Sequence, residues 1–325
     1  MPETGSPAIE IGGLSMSFGD HQVLRGIDLA VPTGSVCALL GPNGAGKTTI
    51  VNILSTLLIP DTGSARVAGH DVIGGSAAVR QAIGVTGQFS AVDGLLTGTE
   101  NLRLMADLRR LGRTAGRRRV DELIDRFDLR DAAGKPASTY SGGMRRKLDL
   151  AMTLVARPQV LFLDEPTTGL DPRSRRDVWD IVRSLVEGGT TILLTTQYLD
   201  EADRLADRVA VLDGGRIVAY DEPARLKQQV PGSRIRLQFA EPARAADARR
   251  ALAAGWSHTT DPDPAPDGST VQIDLPAAGT VAALRSLLDL LDDRAVPVEQ
   301  IEVTAPDLDD VFFALTDSTS RKALQ

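Results

Sequence analysis

The chain has 325 residues, a formal net charge of −7, 42% hydrophobic content and a single cysteine, Cys37. That length suits two domains with cores of their own, and the acidic balance argues against a nucleic-acid partner. One cysteine excludes an internal disulfide and a thiolate metal site, and nothing approaches the roughly 20 apolar residues of a membrane span. The polar start, Met1–Pro7, shows no leader, so the expectation is a cytoplasmic protein whose work at a membrane needs separate subunits.

In chain order, Ile9–Phe18 and Val23–Val31 read as strands of an antiparallel edge, joined through a turn at Gly19-Asp20. The apolar run Ser35–Leu40 reads as a buried strand and leads into Gly41-Pro42-Asn43-Gly44-Ala45-Gly46-Lys47-Thr48-Thr49, followed by a helical stretch, Ile50–Leu58. This is G-x-x-x-x-G-K-[ST] in its strand–loop–helix setting, the pattern of a nucleotide phosphate site. Glycines 41, 44 and 46 let backbone N–H groups converge on phosphate oxygens. Lys47 can reach the β/γ-phosphates, the Thr48 hydroxyl can bind Mg²⁺, and the helix N-terminus adds positive potential.

A short strand is expected at 83–86 and helices at about 99–112, 117–129 and 142–156. Between Arg103 and Arg119 seven bases face one acid, Asp107. They form either a solvated helical face, neutralised by Asp121, Glu122 and Asp125, or a contact for anionic head groups or a membrane partner. Ser141 precedes Gly142 and Gly143 as the N-cap of the third helix. That helix opens with Arg145, Arg146 and Lys147, which the macrodipole disfavours. A bound anion in front of the helix would offset the cost, and a phosphate from another chain is the reading favoured; the alternative is that the cations pair with acids such as Asp149 or face water.

Val160–Leu163 is an apolar strand ending in Asp164 and Glu165. Asp164 would complete the metal site of Thr48, and Glu165 could accept a proton from an attacking water. Further short strands at 191–196 and 208–213, most of them separated by helices, predict a mainly parallel sheet covered on both sides. After 229–233, a plausible linker, come a strand (234–240), a helix (243–253), strands (256–260, 270–275), a helix (280–291), a strand (298–303) and a helix (308–315). The order βαββαβ suggests a ferredoxin-like sandwich. Leu308, Val311, Phe312 and Leu315 share one apolar face of an N-capped final helix. His258 has no clustered ligands beside it and reads as a surface or packing residue.

Together Gly41–Thr49, Tyr140-Ser141-Gly142-Gly143-Met144 and Leu163-Asp164-Glu165 resemble the ATP-binding cassette family over residues 8–228. Tyr140 and Met144 depart from its usual signature, L-S-G-G-Q, at the outer positions. The resemblance implies an α/β fold, a nucleotide-binding domain with a P-loop core, an antiparallel β edge and a helical subdomain over about 89–157. The division expected is 1–228 for this domain, 229–233 for the linker, 234–317 for the α+β domain and 318–325 for a tail. It further implies that Gln88 touches Mg²⁺ or the water and links to the membrane partner, that Asp171 belongs to the D-loop and that Phe18 stacks on adenine. Gln197 stands where the family usually has a histidine at the γ-phosphate. The segments Thr195–Asp203 and Pro306–Leu315 look like the ATP-binding subunits of the daunorubicin/doxorubicin-resistance exporters. That likeness implies ATP and Mg²⁺, a second copy supplying Ser141–Gly143 across the dimer, a separate integral-membrane permease and efflux of a hydrophobic, antibiotic-like compound. The rival readings are a soluble cassette ATPase acting on nucleic acid or ribosomes and a low-turnover regulatory nucleotide module.

Overall fold

The computed structural model describes residues 7–87, 91–228, 234–255, 269–274, 280–304 and 306–323. The chain divides into two compact units, Met1–Pro223 and Ala224–Gln325.

In the first unit β1 (Ile9–Phe18) and β2 (His21–Val31) form the expected hairpin, with Phe18 opposite His21. β3 (Val36–Leu40) is buried at every position and feeds α1 (Lys47–Leu54). β4 (Thr62–Val67), β5 (His70–Asp71) and α2 (Ser76–Ala82) come next, none of them announced by an apolar pattern. In β4 only Ala65 and Val67 are buried, too few for period-two alternation to show. β6 (Ile83–Thr86) precedes the helical block of α3 (Gly98–Leu108), α4 (Arg113–Arg126) and α5 (Gly142–Thr153). The first of these starts on a Thr97–Glu100 capping box and stops at Leu108, short of the expected 112. Arg110 and Gly112 take positive φ of 55° and 73°, which no helix continues through. The unit is completed by β7 (Val160–Asp164), α6 (Pro172–Glu187), β8 (Thr191–Thr196), α7 (Leu199–Leu205), β9 (Arg208–Asp213) and β10 (Arg216–Asp221).

Two sheets result, one antiparallel in the order β2-β1-β4-β5 and one of six strands in the order β10-β9-β3-β8-β7-β6. In the larger sheet β9, β3, β8, β7 and β6 are parallel and only β10 is antiparallel, as an α/β fold requires. Ile9, Leu14, Ile27, Leu39, Ile53 and Phe162 lie in the core shared by the two sheets. Burying each such side chain contributes about 1.5–3 kcal/mol. Cys37 lies there too, its thiol pushed up to about 12, chiefly by burial, and so serves as packing. Register sets the site: Leu40 lies beside Thr196 and Asp164 beside Thr195. The carboxyl ends of β3, β8 and β7 therefore come out side by side, where open α/β sheets place ligands.

The second unit begins within α8 (Pro223–Gln228), at Ala224, where the sequence suggests a cassette running to 228. β11 (Arg234–Gln238), α9 (Pro242–Gly255), β12 (Thr270–Asp274), α10 (Thr280–Asp293), β13 (Gln300–Thr304) and α11 (Leu308–Ala323) follow. β11 is central and antiparallel to both β12 and β13, the arrangement that a split βαβ fold gives its first, third and fourth strands. The strand expected at 256–260 lies outside the described residues, with His258. Ile235, Leu237, Phe239, Ala248, Leu252 and Leu287 centre the core of this α+β unit. α11 is capped as expected: Asp307 Oδ1 accepts from Asp310 N at 3.0 Å and Asp310 Oδ2 from Asp307 N at 3.2 Å. Leu308 and Val311 are buried, Phe312 and Leu315 half-buried, and the helix runs to Ala323, through most of what reads in the sequence as a tail from 318.

Candidate nucleotide site

Residues 41–46 close the gap between β3 and α1. Gly46 precedes the helix with φ of 108°, a conformation that L side chains rarely adopt, and a Cβ there would lie 2.7 Å from Leu24. Asn43, Gly44, Gly46, Lys47, Thr48 and Thr49 line a cleft of about 500 Å³, joined by Glu165 and, from β2, by His21 and Val23. Lys47 Nζ donates to Gly41 O at 2.7 Å and Pro42 O at 3.0 Å, so the ammonium is held among the loop's carbonyls. Burial lowers its pKa, opposed by the carboxylates of Glu165 and Asp164. A polyanion in the cleft would meet a partly desolvated cation, where electrostatic attraction is stronger than in water.

Below the loop, Thr48 Oγ1 donates to Asp164 Oδ1 at 3.3 Å and Oδ2 at 3.1 Å. The Thr195 hydroxyl also donates to Asp164 Oδ1. A hydroxyl facing a carboxylate beside a phosphate-sized cleft is the hard-oxygen donor set of Mg²⁺, which is usually bound by one or two protein oxygens plus substrate phosphates. Among the described residues no group of three or more His, Cys, Asp or Glu converges on one point. Glu165 sits at φ of 48°, held by its N–H donating to Thr195 O at 3.2 Å and Thr195 Oγ1 at 3.1 Å. Thr168 Oγ1 donates to its Oε2 at 3.2 Å.

The loop over 140–144 is built from within. Tyr140 is buried, and its hydroxyl donates to Ala132 O at 2.7 Å. Ser141 caps α5 as expected, Oγ accepting from Met144 N at 3.2 Å, while Gly143 is so close to Ser174 of α6 that a Cβ would collide with it. Gly142 is exposed. Asp171 is the N-cap of α6: Oδ1 accepts from Arg173 N and Ser174 N, both at 3.0 Å, and Oδ2 from the Ser174 hydroxyl. These bonds, that from the Ser174 hydroxyl foremost, hold its carboxyl below the usual range.

The cations opening α5 have partners within the chain. Arg146 is largely enclosed by Asp149 and backbone carbonyls, Lys147 pairs with Asp177 at 2.7 Å, and Arg145 donates to Ser138 O at 3.4 Å. The described side chains thus show the pairing that is the alternative to the favoured phosphate. The basic run at 103–119 is likewise partly internal: Arg119 Nη2 donates to Leu154 O at 2.6 Å and Arg109 Nη1 to Arg80 O at 3.1 Å.

Gln88 lies outside the described residues, and two other expected residues stand apart from the cleft. Phe18 is half exposed at the hairpin end and does not line the cleft, although His21 opposite it does. Gln197 follows β8 without capping α7; Thr196 Oγ1 instead accepts from Tyr198 N at 2.9 Å. The sequence also gave no sign of Glu201. Its carboxyl is fully buried, Oε1 accepting from Trp179 Nε1 at 3.1 Å, and burial raises its pKa against the nearby hydroxyls of Thr196 and Thr167.

Residues 24–168 match the family model described as ABC transporter. A daunorubicin resistance ATP-binding protein of Streptomyces coeruleorubidus is 49% identical over 309 residues, 95% of each chain. A daunorubicin/doxorubicin resistance ATP-binding protein of Streptomyces peucetius is 48% identical over 309 residues, 95% of this chain and 92% of that protein. A solved structure described as an ATP binding subunit of an ABC transporter matches with a TM-score of 0.62 and 27% identity, over 68% of this chain and 92% of that one. A match of 309 residues reaches well into the second unit, which begins at Ala224.

Proposed function

The chain belongs to the ATP-binding cassette family of transporter ATPases, and on that premise we propose that it powers efflux of a hydrophobic drug or antibiotic through a separate integral-membrane permease. The observation that carries the ATPase part is the convergence of Lys47, Thr48 and Glu165 on one cleft with Asp164 directly beneath. The efflux part is supported by near-half identity, over almost the whole of each chain, to proteins named for daunorubicin resistance. No described helix is long and apolar enough to cross a membrane, which agrees with a translocation path supplied by another subunit. The working location is then the cytoplasmic face of the membrane, at the permease.

In this reading residues 1–228 act as the motor and 234–317 as an accessory domain. Lys47 exchanges its bonds to Gly41 and Pro42 for oxygens of the β/γ-phosphates, and the amides of 43–48 orient the phosphate chain. Mg²⁺, when bound, neutralises charge that develops on the phosphates. Thr48 and Asp164 supply its protein oxygens, with Gln88 beside them. Glu165 accepts the proton of the attacking water, and Gln197 offers one neutral hydrogen bond where the family usually has an imidazole. Ser141, Gly142 and Gly143 close over the nucleotide of a second copy, with Asp171 next to the dimer seam and Phe18 against the adenine.

ATPase rate measured with and without the co-expressed permease tests this. Stimulation by the permease and by a hydrophobic drug is expected. A rate indifferent to both would sink the transport reading while leaving the ATPase.

A further inference from the structure

A hydrogen-bonded cluster without an assigned role lies on α5. Arg146 and Asp149 stand one turn apart and pair at 3.2 Å, with side chains only 11% and 3% exposed. A buried pair costs more in lost hydration than it returns unless its remaining donors and acceptors are satisfied. Here backbone groups satisfy them, and which ones is informative.

Arg146 Nε donates to Pro166 O at 2.8 Å and Nη2 to Asp164 O at 3.4 Å, the carbonyls on either side of Glu165. Its Nη1 donates to Gly87 O at 3.3 Å, while Asp149 Oδ1 accepts from Ala91 N at 3.0 Å. Those two residues flank the segment that carries Gln88. One turn of helix thus holds the carbonyls on either side of Glu165 together with Gly87 and Ala91, and neither side chain lines the cleft. The grip matters most at Glu165, whose left-handed backbone persists only if its surroundings over-determine it. A guanidinium suits this because its planar fork serves three carbonyls at once, whereas an ammonium is a point charge.

We propose that Arg146 and Asp149 are positioning residues that couple the orientation of the helix behind Ser141 to the Glu165 turn, with Gly87 and Ala91 held by the same pair. When α5 moves, the carbonyls that aim Glu165 move with it. This rests on the assignment of Glu165 to the water, given above.

The test uses the full-length chain carrying Arg146→Lys, which keeps the charge beside Asp149, Glu201 and Asp164, or the isosteric Asp149→Asn. kcat, KM for ATP, Tm and amide hydrogen exchange over 164–168 are measured for each. Arg146→Lys should lower kcat about tenfold or more, with KM within about twofold, because small misplacements of a reacting group are costly. Asp149→Asn should lower kcat about threefold or more with the same unchanged KM. Exchange over 164–168 should quicken in both. If Arg146→Lys does not fold, Asp149→Asn decides. Unchanged kcat and exchange in a folded variant would overturn the proposal, as would kcat and ATP affinity declining together with Tm. Glu165→Gln is assayed alongside. If it turns over normally the base assignment is wrong, and the positioning claim then stands or falls on the exchange data alone.

Discussion

Tyr140 and Gly98 are fitted to each other: a Cβ on Gly98 would collide with the Tyr140 hydroxyl, which itself donates to Ala132 O at 2.7 Å. The phenol occupies the first position of the signature loop, where the family usually has leucine, and ties that loop to the helical block. Burial raises its pKa, so it remains a donor into the alkaline range. Tyr140→Phe should cost about 1 kcal/mol, with ATP affinity unchanged, since it strands one carbonyl. Gly98→Ala should cost more, about 1–3 kcal/mol, by forcing the ring aside. Urea unfolding with a constant m-value checks both; a silent Gly98→Ala would refute the fit.

Glu165 lines the cleft one residue after Asp164, its Oε2 held by the Thr168 hydroxyl at 3.2 Å. Glu165→Gln should retain ATP binding, lose turnover by about a hundredfold or more, and accumulate an ATP-bound dimer. Size-exclusion chromatography with ATP, beside a steady-state assay, gives the answer. A monomer with normal turnover contradicts the assignment.

Gln197 is free of a capping duty, because Thr196 serves Tyr198 N. Gln197→Ala is therefore expected to cut turnover about tenfold, and Gln197→His to preserve or raise it, as a stronger donor to the γ-phosphate would. Steady-state rates of the two variants decide; a silent alanine removes Gln197 from the chemistry.

Glu201 offers a test by pH. Burial raises its folded pKa above the ordinary 4.5, so the protonated form is the one the fold prefers. Its contribution to stability is fully present below 4.5 and is lost as pH rises through the folded value. Glu201→Gln keeps an acceptor for Trp179 Nε1 but cannot ionise. The variant should melt higher than the parent at pH 8, with the gap closing toward pH 4.5. A pH-independent gap would mean that Glu201 is not the titrating group.

The legible parts of this chain were those whose chemistry is local. Gly41–Thr49 and the Ser141 cap involve neighbours within a few residues, so spacing alone exposed them. The role of Arg146 was hidden because Gly87 and Pro166, whose carbonyls it binds, are 59 and 20 residues away. Likewise His21 and Val23 enter the cleft only because the β1–β2 hairpin folds against the P-loop side of the sheet. β4 and the early stop of α3 were missed for backbone reasons, a half-polar edge in one case and positive φ in the other.

The φ of 48° at Glu165 has an evolutionary consequence. Glycine would sit there without the roughly 1 kcal/mol that a residue with a Cβ loses in that region. Glu165→Gly should therefore leave a chain at least as durable as the parent, though unable to hydrolyse ATP. Selection for thermal robustness alone would erode this position, and only the demand for turnover holds a carboxylate against it. A drift experiment that scores folding without activity should accumulate glycine or asparagine at 165 ahead of neighbouring buried sites such as Leu163.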